Sequence, residues 1–199
     1  MHSSRRAATF RVRAITPVES RLLVVPCSAG IVCGRGIGDS GRRIRLRGSL
    51  MNFRSSIPYD AARMHAAALY CSDGRVGEQF DDFLHNGLSL PRYDRLCLPG
   101  GPACLAGHPQ AHLEEQGVLD ELRFLVEVHE LRRVVLIAHQ GCAFYKARLE
   151  LSEPRLERVQ RADLVRAAAF VNRVTGLEQI EGYFARLVGG QFEFEPVDV

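Results

Sequence analysis

The sequence predicts an α/β fold, a mostly parallel β-sheet flanked by helices. Three observations carry that prediction. The runs "HAAALYC" (65–71) and "RVVLIAH" (133–139) are short, continuous and apolar, as strands buried on both faces of a parallel sheet are. Between and after them, apolar residues recur at helical spacing. The two kinds of segment alternate as β-α-β-α-β-α-β, the order that builds a parallel sheet through helical crossovers.

The elements follow in order. After the first strand, "VGEQFDDFLHNG" (76–87) places Val76, Phe80, Phe83 and Leu84 on one helical face, and Gly87 is a natural stop. "YDRLCLPGG" (93–101) reads as a second strand running into a Gly-Gly turn. From His112 to Leu131, the residues Leu119, Leu122, Leu125, Val126 and Val128 suit an amphipathic helix. The β-branched run 133–139 is the clearest strand. Pro154 marks a break, after which Leu164, Ala167, Ala168, Val171 and Val174 share a helical face that Gly176 can end. "QFEFEPV" (191–197) alternates like an edge strand.

A chain of 199 residues can bury one real core. Its formal net charge of +3 is too small to argue for nucleic acid. The charge is unevenly placed. Residues 1–50 hold ten Arg with only Glu19 and Asp39 as acids, whereas 51–199 carry 16 basic and 21 acidic side chains. Residues 1–50 therefore read as a disordered Arg-rich N-terminal extension. A start codon assigned upstream of Met51 explains it best, an organelle transit peptide next, and a basic arm for an acidic partner third. Residues 51–199 read as a single α/β domain; Cys27 and Cys33 receive no role. No apolar run approaches a membrane span, and "LLVVP" (22–26) is too short for a signal-peptide core. The expected location is the cytoplasm, with organelle import if 1–50 is a transit peptide. In that compartment, six Cys without a secretory signal point to metal binding or catalysis rather than disulfides.

In such sheets, ligands bind at the carboxyl ends of the strands. Cys71 ends one predicted strand, His139 ends another, and Cys142 follows in the next turn. If the strands are parallel, these side chains converge. Two thiolates and an imidazole form a three-donor set for zinc with one position open, the pattern of catalytic zinc. Asp73 and Arg75 follow Cys71 at alternate positions, which face the same side of an extended segment. Paired with Arg75, Asp73 stays ionised and can accept a hydrogen bond from metal-bound water or hydroxide.

C-x-D-x-R at 71–75 followed by H-x-x-C at 139–142 resembles the zinc site of β-class carbonic anhydrases, over about residues 62–150. The resemblance implies a β-carbonic-anhydrase-like fold. It implies zinc on Cys71, His139 and Cys142, with Asp73 and Arg75 as the catalytic dyad. The reaction it implies is reversible hydration of carbon dioxide to bicarbonate through zinc-bound hydroxide. It also implies a homodimer or higher homo-oligomer whose pockets borrow from the neighbouring copy. In some members the aspartate swings onto zinc, and Asp73 could do so.

The chain departs from that family in several places. Ala138 and Ala143 stand where Gly is common. "LPGGPACL" (98–105) keeps the glycines of an R-N-A-G-like segment but not its Arg and Asn. The first Gln of the chain is Gln79, so a substrate-contacting Gln upstream of the first motif is missing. Three other readings remain open: a non-catalytic carbonic-anhydrase-like zinc protein, a zinc hydrolase of another small electrophile, and a cysteine phosphatase. The last rests on the C-x5-R spacing of Cys142 and Arg148. Cys97 and Cys104 read as buried or adventitious thiols, and His108, His112 and His129 as solvated or capping residues. Phe144 and Tyr145 are expected to pack near the site, and Lys146 and Arg148 to be exposed or to attract bicarbonate.

Overall fold

A computed structural model describes residues 52–152 and 155–199. The expectations for residues 1–50, including Cys27 and Cys33, and for Pro154 lie outside the described residues. Among the described residues the fold has five strands and three principal helices: β1 (Ala66–Cys71), α1 (Gly77–Asp82), β2 (Asp94–Leu98), α2 (His112–Val128), β3 (Arg133–His139), α3 (Arg155–Thr175), β4 (Gln179–Val188) and β5 (Gln191–Val197). All of them lie in one unit, Ser55–Val199. The sheet order is β2-β1-β3-β4-β5. The first four strands are parallel, and β5 returns antiparallel to β4 at the edge. The mostly parallel α/β sheet expected from the sequence is therefore present.

Burial explains the strand pattern. Every residue of β1 and all but Arg133 of β3 are buried, so neither strand can alternate apolar with polar. The helix after β1 forms as expected, with Phe80 buried, and continues as one wider turn from Phe83 to Gly87. Phe83 then stacks on Phe194 of β5, ring centroids 4.1 Å apart. In α2 the expected Leu122 and Leu125 are buried, and Val118 joins them. Leu119 and Val126 are half-buried at the flanks of that stripe, and Val128, in the last turn, is exposed. In α3, Leu164, Ala167, Ala168 and Val171 are buried as expected. No helix among the described residues is long and apolar enough to cross a membrane.

One strand was not foreseen. β4 reads "QIEGYFARLV", and its Gly182, Glu181 and Arg186 interrupt any apolar period. Each interruption has a local cause. Glu181 accepts two hydrogen bonds from Arg133 on β3, at 2.7 and 2.9 Å. At Gly182 a Cβ would lie 2.6 Å from the Val199 side chain. Arg186 belongs to a four-member ion network joining α3 to the β4–β5 hairpin.

The sheet winds outward in two directions. The chain passes from β1 to β2 on one side, then to β3 on the other, so the winding reverses between β1 and β3. Hydrogen-bonded pairing between these two strands ends at Leu69 and Leu136. Beyond that, β1 stays with β2 to the Cys71–Leu98 pair, and β3 stays with β4 to the His139–Ala185 pair. The carboxyl ends of β1 and β3 thus part and leave a crevice at the switch point.

In the ion network, Arg186 binds Glu195 at 2.7 Å and also Glu157, while Arg161 binds Glu157 at 2.9 Å and also Glu195. Hydrogen bonds from Arg186 are the main cause holding both carboxyls below their ordinary value of 4.5. A depressed carboxyl stabilises the fold above its unfolded value, and that stability is lost as pH falls through the folded value. The thermal midpoint of the wild type is therefore expected to fall between about pH 5 and pH 3 more steeply than that of Arg186→Leu. Parallel melting curves across that window check this; equal slopes would contradict it.

Candidate metal centre

Three elements deliver the site. β1 ends in Cys71, β3 ends in His139, and Gly141, with φ +77°, turns the chain back so that Cys142 faces them. One donor atom from each of the three residues lies within 4.8 Å of the other two, and all three residues are buried. Among the described residues, no other group of His, Cys, Asp or Glu donors converges in this way. The two sulfurs are 3.8 Å apart.

The imidazole is set for a ligand. Its Nδ1 lies 3.0 Å from the Gln140 carbonyl, so Nδ1 carries the proton and donates. Nε2 is left with a lone pair, buried and without a hydrogen-bond partner among the described residues. A buried nitrogen in that state is unfavourable unless something binds it. A soft divalent cation beside two thiols satisfies that need, and the donor set fits zinc-type coordination.

The thiols point the same way. Cys71 is pushed well down, above all by a hydrogen bond from the Cys142 thiol, and further by the backbone N–H groups of Gly100 and Asp73. Cys142 is pushed up by the same neighbour and by burial. Without a cation, the pair holds one negative charge readily and two only at great cost. The backbone N–H groups of Phe144 and Tyr145 are directed to Cys142 and favour its thiolate.

The Gly-Gly turn after β2 is part of this shell. Gly100 and Gly101 have φ of +82° and +52°. A Cβ on Gly101 would sit 2.7 Å from the Tyr70 carbonyl carbon, and one on Gly100 would sit 2.6 Å from the Phe144 ring. Only glycine lets this turn rest directly on the end of β1 while aiming an N–H at Cys71.

Asp73 and Arg75 do meet, but not along an extended segment. After Ser72 and Asp73 the chain turns at Gly74–Val76, and the Val76 N–H bonds to the Asp73 carbonyl at 3.1 Å. Asp73 Oδ1 accepts the backbone N–H of Arg75 at 3.1 Å, an Asx turn. The guanidinium completes a forked pair, Nε to Oδ1 at 2.9 Å and Nη2 to Oδ2 at 2.5 Å. This pairing holds the Asp73 carboxyl well below the usual range, at about 2. The Asp73 side chain is 15% exposed and that of Arg75 76%. Both open with Cys71 onto a cleft of about 310 Å³ walled by Pro99, Ala143 and Phe144. A larger depression, about 500 Å³, lies between Arg75 and β5 but contains none of the three donors. The chemistry belongs to the smaller cleft.

Other residues settle into structural places. Arg148 is paired with Glu114 and lies over the Phe144 ring, and residues 144–148 coil into a helical turn. The C-x5-R reading needs an open anion loop there, so the structure does not support a phosphatase. His108 is not merely solvated: its Nε2 lies 2.7 Å from the fully buried carboxylate of Asp163, which also pairs with Arg166. His129 pairs with Asp94 at 2.9 Å. Cys104 is buried, which pushes its thiol up to about 12, and Cys97 is exposed on the edge strand. Sequence reasoning passed over Gln160 and Asp163. Two polar residues in the buried stripe of α3 were the one available signal.

Comparisons with known proteins give the family. The chain belongs to the family described as "Putative carbonic anhydrase", whose sequence pattern matches residues 61–198. In structure it is similar to a carbonic anhydrase from Glaciozyma antarctica, at 17% identity and TM-score 0.43 over 65% of this chain and 80% of that one. It is also similar to a carbonic anhydrase from Streptococcus mutans, at 16% identity and TM-score 0.41 over 68% and 82%. A third similarity is to a tetrameric β-carbonic anhydrase from Sordaria macrospora, at 14% identity and TM-score 0.41 over 65% and 79%. No curated protein sequence matches the chain.

A cation that binds only the folded site must stabilise it. Zn2+ at a thousand times its dissociation constant is expected to add about 4 kcal/mol to wild-type stability. The same addition should leave Cys142→Ser nearly unchanged. Denaturant unfolding with and without Zn2+ checks this, and an equal gain in both proteins would count against the site.

Proposed function

We propose that the chain binds one Zn2+ through Cys71, His139 Nε2 and Cys142 and catalyses reversible hydration of carbon dioxide to bicarbonate. The carrying observation is a buried two-thiol, one-imidazole donor set whose Cys71 shares a cleft with an ionised aspartate. Zinc held there would act as a Lewis acid, lowering the pKa of a bound water towards neutrality. Membership of a carbonic anhydrase family supports this reading.

The chain's own residues would do the rest. Asp73, kept charged by Arg75, can accept a hydrogen bond from water in the cleft and orient it. Arg75 fixes the direction of that carboxylate through its forked pair. Pro99, Ala143 and Phe144 offer a mostly apolar wall suited to a small uncharged substrate. A reducing compartment such as the cytoplasm would keep both thiols available.

One observation favours a second reading. Apart from Cys71, only Ser72, Asp73 and Arg75 bring polar side chains to the cleft. The turn at 98–105 contributes Pro99 and Gly100 there and no side-chain donor. Hydrolysis of another small electrophile, or zinc binding without catalysis, fits such a sparse lining.

Stopped-flow hydration of carbon dioxide by the zinc-loaded protein separates these readings. Activity should be present in the wild type, and Asp73→Asn should lose about 10²-fold or more while keeping its zinc. A zinc-loaded wild type inactive at both neutral and alkaline pH would sink the hydration reading.

We further propose a homodimer or higher homo-oligomer. Ile57, Tyr59 and Leu113 support it, being large apolar side chains that are 79%, 91% and 82% exposed. Sedimentation equilibrium should show at least twice the chain mass at micromolar concentration; a monomer throughout would contradict the proposal.

A further inference from the structure

Gln160 lies in the buried stripe of α3 between Leu156 and Leu164 and is 0% exposed. Burying a primary amide is unfavourable unless its hydrogen bonds are made. Gln160 makes one notable bond: its Nε2 donates to the carbonyl oxygen of His139 at 2.7 Å. Its own Oε1 has no partner among the described residues. The amide is therefore not placed to complete its own bonding. It serves one acceptor, and that acceptor belongs to a candidate ligand.

The bond acts on a particular peptide plane. The His139 carbonyl and the Gln140 N–H are opposite ends of one rigid peptide unit. Gln160 holds the carbonyl end, and the Ala185 carbonyl accepts the N–H end at 2.9 Å. The next carbonyl, that of Gln140, receives the Nδ1–H of His139. Gln140 is itself tied to β4, its Oε1 accepting the Leu187 N–H at 3.0 Å. Ring orientation, proton position and peptide orientation are thus linked; Phe80 of α1 packs edge-on against the imidazole, ring centroids 5.9 Å apart, and Gln160 is the hydrogen-bond donor that α3 brings. Asp163, one turn further along α3, is equally buried but binds His108 and Arg166, neither of them a candidate donor to the metal.

We infer that Gln160 is a positioning residue for the metal centre, clamping the His139–Gln140 peptide so that Nε2 points at the two thiols. This rests on the reading of Cys71, His139 and Cys142 as a metal site. Residues of this kind commonly change metal affinity by about 10- to 100-fold when removed.

The test uses the full-length protein. Gln160→Met keeps the side chain's length and burial but removes the donor, and Gln160→Leu makes the same comparison with a different shape. Val171→Ala, a fully buried position eleven residues further along α3, controls for general weakening of the helix. Zn2+ affinity is measured by competition with a chromophoric chelator, and site geometry by the visible absorption of the Co2+-substituted protein. Both Gln160 variants should fold, bind Zn2+ about 10- to 100-fold more weakly and shift the Co2+ bands. Val171→Ala should melt earlier yet keep wild-type affinity and bands. Unchanged affinity and bands in the Gln160 variants would overturn the inference. So would an equal loss in Val171→Ala, or failure of both Gln160 variants to fold. A wild type that takes up no Zn2+ would instead remove the metal-site reading itself.

Discussion

β1 and β3 are hydrogen-bonded neighbours only as far as Leu69 and Leu136, and the candidate site depends on that parting. Each strand then follows its other neighbour, so their last residues line a gap that lies within the fold rather than at its edge. Cys71 stands on one side and His139 on the other. Everything else is fitted to the gap. The left-handed turn at Gly141 returns Cys142 to it, and Gly100–Gly101 rest against the backbone of β1 because no side chain intervenes. A sheet paired to the ends of both strands would have no room for three converging donors.

The inside and outside of this gap differ in kind. Inside are polarisable donors: two thiols that share one negative charge but resist a second, and an imidazole nitrogen with no hydrogen-bond partner among the described residues. They are incomplete as a purely organic cluster, and a soft cation completes them. Outside is a charged pair already complete, Asp73 forked to Arg75 and partly wet. The cleft joins the two zones, and its plain walls of Pro99, Ala143 and Phe144 leave Asp73 and Arg75 as its charged groups.

How much of this the sequence disclosed follows from where the signals are local. β1 and β3 were legible because strands covered on both faces become unbroken apolar runs. The donors were legible because a Cys or His at the end of such a run must project at the strand's carboxyl edge. β4 was hidden because its Glu181 and Arg186 answer partners on other strands, and Gly182 answers a chain end seventeen residues away. The Asp73–Arg75 pair was foreseen, but its Asx turn was not, since D-x-R fits an extended segment equally well. Gln160 gave almost no sign: one polar residue on a helical face acquires meaning only when the carbonyl it meets is known.

The central claim is that a metal sits between Cys71, His139 and Cys142. X-ray absorption at the zinc edge, on protein purified with its native metal, tests it most directly. The account predicts two sulfur ligands at about 2.3 Å and one or two nitrogen or oxygen ligands at about 2.0–2.1 Å. A shell without sulfur, or one made of four sulfurs, would contradict it.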